Sequence, residues 1–91
     1  MAADRDLLAV NDAFYRAFRA QDSSAMDALW ARDGPVACIH PGWGALSKRD
    51  RIMASWQAIF DAPGAPDIIC VAPRAYDLGE VGFVVCFEQI G

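Results

Sequence analysis

The last apolar run of the chain, residues 81–90 (Val-Gly-Phe-Val-Val-Cys-Phe-Glu-Gln-Ile), constrains the fold more than any other segment. Side chains alternate in direction along a strand, so Val81, Phe83, Val85 and Phe87 share one face and Gly82, Val84, Cys86 and Glu88 the other. Both sets are apolar as far as Phe87. A strand with one wet face would alternate apolar with polar residues. Residues 81–90 therefore need a covering layer on each side. Helices can supply one. A preceding strand is expected over 67–76, where Pro73 lacks an N–H and so marks an edge or a bulge. Residues 77–80 (Asp-Leu-Gly-Glu) turn the chain between the two strands.

The helices come first in the chain. Leu7, Val10, Phe14 and Phe18 recur at spacings of three and four, which predicts a helix over 4–20 with one apolar face. Asp4 and Asp6 suit the positive end of its dipole. Residues 21–24 (Gln-Asp-Ser-Ser) break it. Asp22 or Ser23 then caps a short second helix reaching Trp30, with Met26, Leu29 and Trp30 as its apolar side. Asp33-Gly34-Pro35 is a turn, residues 36–40 a first strand, and residues 41–44 (Pro-Gly-Trp-Gly) a loop. Ser47 followed by Asp50 reads as a capping-box variant that opens a third helix. Its stripe is Ile52, Met53, Trp56, Ile59 and Phe60, and residues 61–66 end it. This order, with no internal repeat or linker, predicts one α+β domain over residues 1–91.

Composition narrows the partners. Of the 91 residues, 55% are hydrophobic, more than a soluble domain of this size needs for its own core. Some of that surface is expected to meet another chain, and a sheet-to-sheet homodimer is the simplest source of the second layer. A net charge of −4 argues against nucleic acid, and the short basic run Lys48-Arg49 with Arg51 is interrupted by Asp50. No apolar stretch approaches the roughly 20 residues that span a bilayer. The start, Met-Ala-Ala-Asp-Arg-Asp, has no signal-peptide pattern. Cys38, Cys70 and Cys86 are an odd number with no C-x-x-C spacing, which fits buried, reduced thiols in a cytoplasmic protein. One histidine and three dispersed cysteines make no metal-ligand set, and no cofactor is implied.

Residues 37–56 carry the candidate chemistry. They hold the sole histidine, His40, and two of the three tryptophans, Trp43 and Trp56. His40 ends a strand and precedes Pro-Gly, a position at the lip of a pocket. A histidine there serves as a general base, as a ligand contact, or as a structural group packed on Trp43. Phe14, Phe18, Trp30, Trp43, Trp56 and Phe60 are of the type that lines an apolar cavity, although aromatic residues at helical spacing build a core equally well. Ser47 is a helix cap and not a nucleophile, since one histidine at this spacing argues for no triad.

The order of elements and four stretches resemble the nuclear transport factor 2-like superfamily, in its bacterial SnoaL-like branch. The stretches are Phe14-Tyr15-Arg16-Ala17-Phe18 with Asp22, Met26-Asp27-Ala28-Leu29-Trp30, Cys38-Ile39-His40-Pro41-Gly42-Trp43, and Leu46-Ser47-Lys48-Arg49-Asp50 with Ile52, Ser55 and Trp56. The resemblance covers essentially the whole chain. It implies a curved antiparallel sheet folded as a cone around three N-terminal helices. The interior of the cone is a pocket and the outer sheet face commonly makes a dimer. Members are usually longer and end with two further strands that are not expected within residues 1–91. The family holds isomerases, cyclases, dehydratases and transport adaptors, so it implies a pocket and no single reaction. In the ketosteroid isomerases a catalytic aspartate precedes a proline in a similar loop, and His40-Pro41 looks like that position. A tyrosine of their first helix donates into the pocket, and here Phe14 looks like its equivalent, with Tyr15 one residue on. No second aspartate on a later strand matches. The resemblance thus implies a homodimeric module that binds an apolar small molecule through Phe14, Tyr15, Phe18, Trp30, His40, Trp43, Trp56 and Phe60. The alternative is an isomerase, dehydratase or cyclase with His40 as its base.

Overall fold

The computed structural model describes residues 4–64 and 66–91, with side chains from Asp6 onward. Asp4 at the start of the first helix and residue 65 of its expected third-helix terminator therefore lie outside the described side chains and residues. Helix α1 runs Asp4–Ala20, α2 Ser23–Asp27 and α3 Arg49–Asp61, followed by strands β1 Ile68–Asp77 and β2 Gly82–Ile90. The architecture is α+β, with an antiparallel hairpin behind three helices.

Helix α1 lies at the centre, against the hairpin on one side and α2 on the other. Its buried line passes through Tyr15, Ala17 and Phe18, while Val10, expected on the apolar face, is 53% exposed. The sheet takes Asn11 and Tyr15 instead, because its thiols and Glu88 give their polar ends partners. Gln21 ends the helix at φ 53°. The Gln21 N–H donates to the Phe18 carbonyl and the Asp22 N–H to the Ala17 carbonyl, the bonds of a Schellman turn. Asp22 then caps α2, its carboxylate accepting from the Ala25 N–H at 3.0 Å.

Helix α2 stops at Asp27, three residues before the expected end at Trp30. The helical ladder gives way at Leu29, whose N–H bonds the Met26 carbonyl three residues back. Arg49 then holds the turn, donating to the Asp27 carbonyl at 2.7 Å and the Ala31 carbonyl at 3.1 Å, and pairs with the Asp27 carboxylate at 2.8 Å. Trp30 is left on a loose turn, its N–H 3.4 Å from the Asp27 carbonyl. Helix α3 begins one residue after its N-cap Lys48, and no side chain caps it, so the expected Ser47 cap does not form. The backbone before it is drawn out by two bonds between Cys38 and Leu46, of 2.9 and 2.8 Å. That single bridge is all that forms of the expected strand over 36–40. Pro41 has no N–H to extend the ladder, and the Trp43 N–H turns back to the His40 carbonyl.

The core is Ala17, Phe18, Met26, Ile52, Trp56 and Phe60, where α1, α2 and α3 meet. The hairpin pairs Ile68 with Ile90 at one end and Asp77 with Gly82 at the other, and its register slips between Val71 and Arg74. Pro73 sits in that bulge, beside Ala72 at φ 52°. The inner face of β2 meets α1 closely: a Cβ on Gly82 would come within 2.6 Å of Leu7 Cδ1. The outer face carries Ile69, Val71, Tyr76, Phe83, Val85 and Phe87 and stays exposed in the single chain, Phe87 at 73%. No described helix is long and apolar enough to cross a membrane.

Candidate functional site

Helices, loop and hairpin surround a cleft of about 610 Å³. Helix α1 contributes Phe14, Tyr15 and Phe18, the loop before α3 contributes Trp30, Cys38, His40 and Trp43, and α3 contributes Trp56 and Ile59. Ile68, Glu88 and Ile90 of the hairpin close it. Seven of the eight expected contact residues thus border one cleft. Phe60 does not. It is buried one helical turn beyond Trp56, its ring 6.0 Å from Phe18 and 5.9 Å from Trp56, and belongs to the core. Phe14 and Tyr15 differ by about 100° around the helix yet both border the cleft. The cleft bends around α1, so Phe14 meets Trp56 on the α3 side and Tyr15 meets Glu88 on the sheet side.

His40 is 6% exposed, wedged between the rings of Trp43 and Trp56 at centroid distances of 4.9 and 4.7 Å. Its Nε2 lies 2.8 Å from Ser55 Oγ. Ser55 Oγ in turn donates to the Ile52 carbonyl at 2.6 Å. A hydroxyl has one proton, so Ser55 can only accept from the histidine. Nε2 therefore carries the hydrogen, and Nδ1 keeps a lone pair that no described residue engages. Burial lowers the pKa of His40 below its ordinary value, which keeps the imidazole neutral at neutral pH.

Tyr15 donates its hydroxyl to Glu88 Oε2 at 2.7 Å and touches Cys86 Sγ at 3.3 Å. Burial first, then the Cys86 and Glu88 partners, push its pKa far above the usual tyrosine value, so it stays a phenol. Glu88 and Ser55 are the site residues that pattern reading missed. Glu88 is the one acid on the inner face of its strand, beside Cys86, and Ser55 the one polar residue inside the α3 stripe. Those two irregularities were the available signals. Arg49 holds the lip in place. It anchors the Asp27 and Ala31 carbonyls on either side of Trp30, and with Arg32 it holds the Asp27 carboxyl below the usual range. Among the described residues, no cluster of three or more ligating side chains could hold a metal ion.

Residues 7–91 match the family model of the SnoaL-like domain. The chain belongs to the SnoaL-like family. The resemblance read from its four stretches is borne out, and with it the nuclear transport factor 2-like fold. Two solved structures are similar to this SnoaL-like domain. One is a "putative dehydratase from the NTF2-like family" of Streptomyces avermitilis, at 28% identity and a TM-score of 0.80, covering 90% of this chain and 66% of the other. The second is a "putative calcium/calmodulin-dependent protein kinase type II association domain" of Thiobacillus denitrificans, at 35% identity and a TM-score of 0.65, covering 92% and 68%. The SnoaL-like domain therefore spans about two thirds of the length of these two structures. No curated protein matches it.

The buried histidine makes stability depend on pH. The unfolded chain takes up a proton near pH 6.5, a reference value, while folded His40 resists it. This contribution leaves stability intact above about pH 6.5 and erodes it as the pH falls toward the lower folded pKa. Urea midpoints of the wild type should drop between pH 7.5 and pH 5, and those of His40→Asn should drop less. Equal slopes in the two proteins would assign the loss to other groups.

Proposed function

We propose that this SnoaL-like domain is a small-molecule-binding module that holds an apolar, ring-bearing ligand in its aromatic cleft. The observation that carries this reading is the cleft itself: about 610 Å³, within the range of ligand sites, with aromatic walls and few polar groups. Phe14, Tyr15, Phe18, Trp30, Trp43 and Trp56 supply apolar contact, and His40 with the Tyr15–Glu88 pair orients the ligand. Three free cysteines support a reducing, cytoplasmic setting. A thermal-shift screen of aromatic and alicyclic compounds tests it. A ligand present at 100 times its Kd stabilises the fold by about 2.7 kcal/mol. Hits should lose most of their shift in Trp43→Ala, whose side chain is half-exposed at the cleft mouth. A library that leaves the melting temperature unchanged would count decisively against the module.

A sheet-to-sheet homodimer accompanies this reading. Its support is the outer face of the hairpin, where Phe83, Val85 and Phe87 are exposed together and the Tyr76 and Phe83 rings stack at 4.9 Å. Exposed apolar patches of this kind mark interaction surfaces. Sedimentation should find a dimer for the wild type and a monomer for Phe87→Glu. A wild type that sediments as a monomer at all concentrations would remove the dimer.

Dehydration is the second reading, favoured by the free Nδ1 of His40 and by the Streptomyces avermitilis protein named as a putative dehydratase. His40 would take the proton next to a carbonyl and return it to the β-hydroxyl as the C–O bond breaks, so that water leaves and the C=C bond forms. Against a panel of β-hydroxy carbonyl compounds, His40→Ala should then lower turnover by about 10²–10⁴-fold with the fold intact. Turnover that survives the substitution rules out His40 as the base.

A further inference from the structure

The strong polar contacts that side chains offer this cleft are lone pairs. His40, a lining residue, gives its Nε2 hydrogen to Ser55 and is left with the Nδ1 lone pair. Tyr15 commits its one proton to Glu88 Oε2, so the phenol has only lone pairs left. Glu88 is an acceptor throughout, with Oε1 not engaged by any described residue. Among the described residues no lysine or arginine borders the cleft, and none forms an ion pair with Glu88. Among the described residues the cleft's one formal charge is therefore negative, with no basic side chain beside it. Its remaining side-chain donors are neutral and weak, the Cys38 thiol and the Trp43 indole N–H. The indole N–H groups of Trp30 and Trp56 are buried out of reach.

We infer that the ligand is an organic ammonium, an apolar ring system bearing a protonated amine that lies between the aromatic walls and Glu88. This rests on the reading of the cleft as a small-molecule site. An ammonium supplies the donors that Glu88, Tyr15 and His40 require. It also gains from the aromatic rings, since a desolvated cation over such a ring is worth about 2 kcal/mol or more. A carboxylate ligand would meet lone pairs on every side and a like charge at Glu88. A neutral hydroxyl satisfies the acceptors but forgoes the charge.

Three probes of one shape test the assignment by calorimetry at neutral pH and low salt: naphthylmethylamine, naphthylmethanol and naphthylacetate. The amine should bind more tightly than the alcohol and about tenfold or more tighter than the carboxylate, the order expected of one charge pair near a protein surface. Glu88 is exposed, so Glu88→Gln should fold normally. It should abolish the amine's advantage over the alcohol. The inference is overturned if the alcohol or carboxylate binds as tightly as the amine, or if the advantage persists in Glu88→Gln. If none of the three binds, the small-molecule reading falls and takes this assignment with it. Binding led by the carboxylate sinks the ammonium alone.

Discussion

The indole of Trp56 is the point at which three separate parts of this chain are joined. From α3 it meets Phe14 and Phe18 of α1 edge-on, with centroids 5.5 and 6.1 Å away, and the His40 ring of the loop at 4.7 Å and 90°. Edge-to-face pairs are worth about 0.5–1.5 kcal/mol each beyond the area they bury. In a domain this small that is a large share of the total stability. The geometry also fixes position. A ring held edge-on by three others cannot rotate without breaking contact with all of them. Trp56 therefore sets both where the helices cross and where His40 stands, and the side of the indole turned from the core becomes cleft wall.

The hairpin depends on the helices in a different way. Two strands alone are marginal in water, and α1 covers only one of their faces. What fastens that face is partly polar: Asn11 donates to the Cys70 thiol, and Tyr15, one turn later, reaches Cys86 and Glu88. The bulge at Ala72-Pro73 sits opposite Cys86, between the paired positions Val71–Phe87 and Arg74–Val85, and lets the sheet bend. The other face keeps its row of aromatic and branched side chains uncovered. The same alternation that made residues 81–90 unreadable as an exposed strand is thus resolved for only half of its side chains within one chain.

Local pattern made the long elements legible. The helix over 4–20, the edge or bulge marked by Pro73 and the two C-terminal strands each rest on periodicity or on a missing N–H, properties that a residue carries with it. The elements that differed were decided by distant partners. The second helix gives way to a tighter turn at Leu29, and that turn is held by Arg49, 22 residues after Asp27. The strand over 36–40 is reduced to a bridge because only Cys38 pairs with Leu46, while the His40 carbonyl is taken by the Trp43 N–H of the following turn. Val10 turned outward because the sheet offers hydrogen-bond partners to Asn11 and Tyr15. The site followed the same division. Aromatic residues and His40 could be picked out by type, whereas Ser55 and Glu88 acquire their roles only once α3 faces the loop and β2 faces α1. Phe60 shows the converse: its type suited a ligand wall, but its place one turn beyond Trp56 put it in the core.

Phe14 and Tyr15, adjacent in sequence, serve opposite walls of the cleft. Phe14 packs on Trp56 and so on the wall that holds His40, while Tyr15 bonds Glu88 on the wall built by the hairpin. A rigid shift of α1 must therefore change the cleft width and the Tyr15–Glu88 contact together. The helix is also the element least able to move alone. Its C-terminal turn is tied through Asp22 to α2, and α2 through Asp27 to Arg49. Any molecule that wedges the walls apart works against that chain of contacts. One that draws Glu88 toward the aromatic wall leaves it intact. The polar end of the cleft, where Glu88 meets solvent, lies outside that chain of contacts.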